Sequence, residues 1–248
     1  MDLSYAVAVT LPVAIDLMAL AEALDAQEGQ TKLVEALKSA WRAQSCLGDL
    51  SQAQEICDML EKLRANSVGI DPNIRSQSEM ALLMAAVLNY VRATHTSGGQ
   101  NERGSIQLGK LTGQQRNDHD ILVAIRNGAF GHVLPSEVID GELWHSQLLL
   151  GRQNADHSWS VASATKRLTF HRATLDRLKR QIPVALAAVK VASQKRLGAV
   201  ARLINDAGPS EQDMLAHAID PVAIFGSEER ASFILGGLPG ASLAVWDL

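Results

Sequence analysis

The chain has 248 residues, of which 47% are hydrophobic, 20% charged and 4% aromatic, and its net charge is −4. This composition is that of a globular protein, and it excludes both intrinsic disorder and a chain that is basic throughout. A core made mainly of Leu, Ala, Val and Ile favours packed helices over a β-sandwich. We therefore predict a mainly α-helical bundle.

The apolar N-terminal stretch 3–15 has neither the charge pattern of a signal peptide nor the length of a membrane span. Its only nearby charge is the acidic Asp2, whereas a signal peptide begins with positive charge. Asp16 interrupts the stretch before it reaches the about 20 apolar residues of a spanning helix. Cys46 and Cys57 match no metal or redox spacing. We expect a cytoplasmic protein that does not enter a membrane.

The N-terminal part of the chain is predicted to be entirely helical. Apolar residues recur at helical spacing over 12–26, 31–45, 51–65 and 75–96. Gly48 follows the second of these segments, and Ser51 is a plausible N-cap for the third. We interpret residues 1–70 as an N-terminal helical layer.

The long helix over 75–96 and the helices that follow it belong to a predicted bundle over 71–208. One helix is expected over 114–127 and another over 172–206, in which Pro183 must produce a kink or begin a second helix. Between them, the alternating pattern of 142–171 predicts a small β-hairpin or meander.

The C-terminal segment 209–248 is predicted to be a tail docked on the core or on a partner. It contains a short helix over 211–218. Its end, 233–246, is apolar and interrupted by Gly and Pro, a composition that is normally covered by another surface.

The residues best suited to chemistry stand at the end of the helix 114–127. Arg126, Asn127 and His132 lie together there, and Gly128 and Gly131 allow the chain to bring His132 back beside Arg126. A guanidinium binds phosphate through two hydrogen bonds, and an imidazole moves a proton near neutral pH. An RNA 2′-hydroxyl attacks its adjacent phosphate without a metal if its proton is removed and the leaving oxygen is protonated.

This motif resembles that of HEPN domains, which carry Arg, four to six residues and then His at a helix end, often with a polar residue after the Arg. Arg126, Asn127 and His132 match this pattern, although the intervening 128–131 segment and the β segment depart from it. The resemblance implies a metal-independent endoribonuclease of a toxin–antitoxin or phage-defence system. Arg126 would hold the scissile phosphate, His132 would act as general acid or base, and Asn127 would assist.

The same resemblance implies partners but no cofactor. HEPN nucleases act as homodimers with two motifs facing each other, so RNA, a second copy and an antitoxin or defence protein are the expected partners. The alternative is that Arg126 and His132 tie a helix end to a neighbour. The protein is then a non-catalytic scaffold that binds another protein through 233–246 or through its N-terminal helices.

A basic run between 166 and 202 offers a surface for RNA. Ten basic residues face a single acidic residue there, Asp176. Such asymmetry is typical of a polyanion-binding face, and the residues assigned to RNA are Lys179, Arg180, Lys195 and Arg196. The alternative is an ordinary solvated helix face that acidic neighbours balance in space.

The remaining candidate residues are weaker. Arg92 and His95 lie three residues apart and can share one helix face as auxiliary residues. Consecutive helical residues point in different directions, so a metal site made by Asp118, His119 and Asp120 is not expected. Only the fold could bring together the histidines of the β region, which are His145, His157 and His171. No phosphate-binding Gly-rich loop or zinc-protease motif occurs.

Overall fold

The structure is a computed structural model that describes residues 13–25, 27, 29–66, 68–95, 104–130 and 136–236. Helices make up most of these residues, and two small antiparallel sheets complete them. The predicted mainly α-helical fold with a small β segment is confirmed. None of the described helices combines the length and the apolar character that crossing a membrane requires.

The described residues fall into two compact units. One takes those up to Gln44 and from Val191 onward, and the other takes those from Ser45 to Lys190. Two long helices, α2 (Thr31–Ala65) and α5 (Arg172–Ala207), contribute residues to both units. The sequence instead suggests segment boundaries at 70 and 208.

The first unit is built around the N-terminal part of α2 and the C-terminal part of α5. It also contains the elements β1 (Ala14–Ile15), α1 (Leu17–Leu24), α6 (Glu211–Leu215), β5 (Ala218–Ile219), α7 (Pro221–Phe225) and α8 (Glu228–Gly236). Asp16 caps α1 by accepting hydrogen bonds from two backbone amides. Leu20 and Leu24 of α1 then pack with Leu37 and Val200 in a buried apolar cluster.

The second unit holds Arg126 and Asn127 of the motif. Its other elements are α3 (Pro72–Thr94), α4 (Gly113–Ala124), a π-helical turn (Ile125–Phe130), β2 (Ser136–Ile139), β3 (Glu142–Gln153) and β4 (Trp159–Arg167). Fully buried Tyr90, Leu122, Leu178 and Ile182 show that α3, α4 and α5 each turn an apolar face to the core. The prediction of a helical core with an inserted β meander is therefore met in this unit.

Two expected helix breaks are absent. Gly48 and Ser51 lie inside the continuous helix α2, so the prediction of separate helices over 31–45 and 51–65 is wrong. Buried residues on both sides of Gly48, such as Cys46 and Leu50, outweigh the about 1 kcal/mol that glycine costs within a helix.

Pro183 likewise does not begin a second helix, because α5 runs without interruption from Arg172 to Ala207. The proline lies on the exposed side of the helix, whereas its neighbour Ile182 is buried. The carbonyl that lost its amide partner therefore faces water, which reduces the cost of the missing hydrogen bond.

The β segment is a three-stranded meander in the order β2-β3-β4, with antiparallel pairing throughout. Asp140 and Gly141 connect β2 to β3, and both have positive φ, 55° and 79°. Asp-Gly is the sequence preferred in such a two-residue hairpin turn, because Gly adopts positive φ without strain. The segment begins at Ser136, six residues before the predicted start at 142.

Candidate functional site

The helix α4 ends in a six-residue π-helical turn that displays the first two residues of the motif. Thr112 and Gln115 form a capping box at the start of α4, and buried Leu122 and Ile125 fix its inner face. The wider turn then carries Arg126 and Asn127 on the exposed side. Such π-helical turns occur frequently at functional sites.

The Arg126 guanidinium is exposed and held by its neighbour. Its Nη1 donates a hydrogen bond to Asn127 Oδ1 over 2.8 Å. Within the described part of the chain, no carboxylate forms an ion pair with Arg126. The C-terminal end of a helix repels anions, so attraction of a phosphate to this turn depends on the guanidinium.

A carboxylate from the β meander lies against the same turn. A Cβ added at Gly128 would stand 2.4 Å from Glu137 Oε1, so glycine leaves the space that this side chain occupies. Glu137 is opposite His145 in the β2–β3 pairing, which puts both side chains on one face of the meander. Sequence reasoning missed Glu137, because only tertiary contact joins β2 to the turn.

Aromatic packing anchors the end of the π-helical turn. Phe130 meets the buried Trp144 of β3 edge to face, with ring centroids 5.8 Å apart. Trp144 in turn contacts His171 at 5.4 Å, and His171 Nδ1 lies 2.9 Å from Thr174 Oγ1. The β meander thus fixes the turn, and His171 has a structural role in that packing.

The structure places Glu137 against Gly128, in the same turn that carries Arg126 and Asn127. His132 belongs to the segment 131–135, which lies outside the described residues. Its assignment as general acid or base stays a prediction, and so does its proximity to Arg126.

The auxiliary pair Arg92 and His95 has two separate sets of contacts. Arg92 donates from Nε to Asp49 Oδ2 at 2.9 Å and from Nη2 to Asn89 Oδ1 at 3.0 Å, which ties α3 to α2. His95 instead lies beside His119 of α4, with ring centroids 5.7 Å apart. The side chains of this pair therefore make different contacts, although they share a helix.

His119 is held between α3 and its own helix. Its Nδ1 is 2.9 Å from the hydroxyl oxygen of the fully buried Tyr90. Burial lowers the pKa of His119, and the neighbouring His95 lowers it further. The neutral imidazole is thus favoured, and burial also raises the pKa of Tyr90.

The predicted RNA-binding residues differ in their surroundings. Lys179 Nζ donates to Glu61 Oε1 at 2.8 Å, and Arg180 Nε donates to Asp118 Oδ2 at 2.9 Å. Arg196 donates to the carbonyl oxygen of Ser39, whereas Lys195 is exposed and makes no ion pair with the described residues. Much of the basic run within the second unit is therefore balanced by acidic groups, as the solvated-face alternative requires.

Asp118 is a buried carboxylate that pairs with two of these basic residues. Its side chain is 1% exposed and faces Arg180 and Arg177, while Gln114 donates a further hydrogen bond to it. Burial alone would raise its pKa, but the hydrogen bond and charge of Arg180, together with Gln114 and Arg177, hold the pKa below its usual value. Among the described residues, no group of three or more His, Cys, Asp or Glu is placed to hold a metal ion.

Comparison of the chain with family models, with curated proteins and with solved structures yields no significant match.

Proposed function

We propose that the protein is a metal-independent endoribonuclease of the HEPN type, as its motif resemblance implies. The observation that carries the proposal is the exposed Arg126 guanidinium, which Asn127 holds and no described carboxylate neutralises. A purely structural arginine at a helix end would be expected to meet an acidic partner, as Arg177 and Arg180 do. Arg126 is instead available to a phosphate.

The chemistry follows from the two side-chain types. A base removes the proton of the 2′-hydroxyl, and the 2′-oxygen forms a bond to the adjacent phosphorus. The bond from phosphorus to the 5′-oxygen breaks, and an acid protonates that oxygen, which leaves a 2′,3′-cyclic phosphate and a 5′-hydroxyl. In this scheme His132 transfers the proton, and Arg126 binds the phosphate oxygens as negative charge develops on them.

The test is cleavage of single-stranded RNA in EDTA by the full chain and its variants. We expect Arg126→Ala to lower the rate by about 10²–10³-fold, and His132→Ala by about 10²–10⁴-fold. Arg116→Ala is the matched control, because Arg116 is an exposed arginine on the same helix. Product ends are identified by end labelling before and after removal of the cyclic phosphate.

Two results would refute the nuclease assignment. One is the absence of cleavage of any RNA by the wild-type chain, and the other is full activity in the Arg126 and His132 variants. Either result would favour the second candidate, a non-catalytic protein-binding scaffold, which also predicts that expression of the chain is not toxic to cells.

A further inference from the structure

Among the described residues of the second unit, the outer part of the β meander concentrates exposed apolar side chains. We name it the ribbon, and it consists of residues 147–153 of β3 and 159–167 of β4. All of these residues are exposed, including three large apolar side chains: Leu149 at 82%, Val161 at 74% and Trp159 at 67%. Exposed apolar patches of this kind mark interaction sites in folded proteins.

Both faces of the ribbon are apolar. Side chains that are two residues apart, or opposite in the β3–β4 pairing, share a face. One face therefore carries Leu149, Val161 and Trp159, and the other carries Leu148, Leu150, Ala162 and Ala164. Every residue of the ribbon is exposed, so no described helix of the same unit covers either face.

The outer edge of β4 is an unpaired strand. Within the described residues β4 pairs only with β3, so its other edge offers free backbone amides and carbonyls. Natural edge strands are usually protected by Lys, Pro, a bulge or short length. Residues 159–165, Trp-Ser-Val-Ala-Ser-Ala-Thr, contain no charge and no proline, and the pairing with β3 runs through nine residue pairs without a register shift.

We infer that this edge pairs with β4 of a second copy of the chain, so that the two meanders form one continuous antiparallel sheet. The distribution of charge in β4 allows a second copy to pair in the antiparallel direction. Its only charged residues, Lys166 and Arg167, stand at one end, and Trp159 stands at the other. Antiparallel pairing puts the cations of one copy beside the neutral end of the other, whereas parallel pairing would put cations side by side.

Symmetry then fixes the register. Two antiparallel edge strands related by a two-fold axis pair residues whose numbers have an even sum, and the axis passes through one residue position. Full overlap of the nine-residue strand places the axis at Ser163. Val161 then faces Thr165 of the other copy, and Trp159 faces Arg167, a pair suited to a cation–π contact.

This arrangement follows from the ribbon alone and does not depend on the ribonuclease proposal. Side chains that are opposite each other across the axis lie on the same face of the sheet. The face with Leu148, Leu150, Ala162 and Ala164 therefore continues into the same face of the second copy. The contact uses the same surface of both copies, so the unpaired edge of β4 in each copy becomes paired.

The first test is the mass of the full chain in solution, measured by sedimentation at micromolar concentration. We expect a dimer for the wild type. Val161→Lys combined with Thr165→Lys places like charges opposite each other and should weaken self-association by at least about tenfold. Val161→Glu combined with Thr165→Lys changes the same two positions but sets opposite charges against each other, so the dimer should persist.

The second test is a cross-link at the predicted axis. In the dimer, Ser163→Cys brings two identical positions within disulfide distance, so mild oxidation should give a covalent dimer. Ser160→Cys is the control, because its two copies would lie roughly 20 Å apart along the strands. Native Cys46 and Cys57 are buried and should not compete.

The inference is overturned if the wild-type chain is monomeric at the highest concentration reached. It is equally overturned if a dimer forms but the two double variants associate alike, or if the two cysteine variants cross-link alike. Those results would place any self-association on a different surface. RNA cleavage is measured separately, and a chain that cleaves RNA without pairing through β4 would overturn this inference alone.

Discussion

The middle of α4 and the π-helical turn that follows it differ in how their charged groups are paired. In the middle of the helix, Asp118 is buried against Arg177 and Arg180, and Arg177 also pairs with Asp140. At the C-terminal end, Arg126 is exposed on the π-helical turn, and its guanidinium has only the Asn127 side chain as a described polar partner. Removing a member of the first group should lower the stability of the protein, whereas removing Arg126 should affect only function.

The largest effect on stability is expected for Asp118→Asn. The change removes the charge that accepts hydrogen bonds from Arg180, whereas Arg177 keeps its pairing with Asp140. Hydrogen bonds to a charged group contribute about 1.5–3 kcal/mol, and we expect a loss of that size in the free energy of unfolding. Urea denaturation measures the loss. The control is Asp120→Asn, an exposed change two residues further along α4, whose free energy of unfolding should stay within about 0.5 kcal/mol of the wild type.

The pH dependence sharpens the same prediction. The pKa of Asp118 is lowered in the folded protein, so its stabilising contribution is complete above the unfolded pKa and is lost as pH falls through the folded value. The difference in stability between wild type and Asp118→Asn should therefore shrink in strong acid. A gap that does not change between neutral pH and strong acid would show that Asp118 stabilises the protein through shape rather than charge.

A smaller effect is expected for Gly128→Ala in the π-helical turn. The added methyl group must displace the Glu137 carboxyl group, which is the mobile end of a flexible side chain, at a cost on the order of 1 kcal/mol. In a Glu137→Ala background, the same change should be neutral or slightly stabilising. A double-mutant cycle measured by urea denaturation gives the coupling energy, and a value near zero would contradict the contact.

The smallest effect is expected for the pH response of His119. Its folded pKa lies below that of the unfolded chain, so stability is complete above about 6.5 and falls as pH drops through the folded value. His119→Gln should flatten this part of the profile, because the substituted side chain does not titrate. The control is His157→Asn, at an exposed turn position, which should keep the wild-type dependence of stability on pH. An equal flattening in this control variant would refute the assignment to His119.

Local sequence signals located the elements and the motif, but they misjudged where helices stop. Helical spacing predicted α3 and α4 to within a few residues, and alternation identified β3. Gly48 predicts the end of a helix and Pro183 predicts a kink or a new helix, yet α2 and α5 each continue through the residue, beside buried neighbours. Propensity is a weak local term, and burial of an apolar face on both sides of such a residue outweighs it.

In the candidate site, the sequence likewise revealed residues that are neighbours in the chain but not those that meet only in the fold. Arg126 and Asn127 were found because they are adjacent in the chain at a helix end, and periodicity reveals such ends. Glu137 was not found, because it reaches Gly128 only through the packing of β2 against the turn. The pairing of Lys179 and Arg180 with Glu61 and Asp118 was likewise invisible, since more than 60 residues separate the partners.

The sequence by itself determined that the chain is mainly helical, where its β segment lies and which helix end carries a guanidinium beside an amide. These properties depend on residue types and on spacings of a few positions. Tertiary structure alone decided which cations are neutralised, which carboxylate reaches the π-helical turn and that the ribbon is uncovered. Charge pairing and burial depend on distances in space between residues far apart in the chain, and no local pattern encodes those distances.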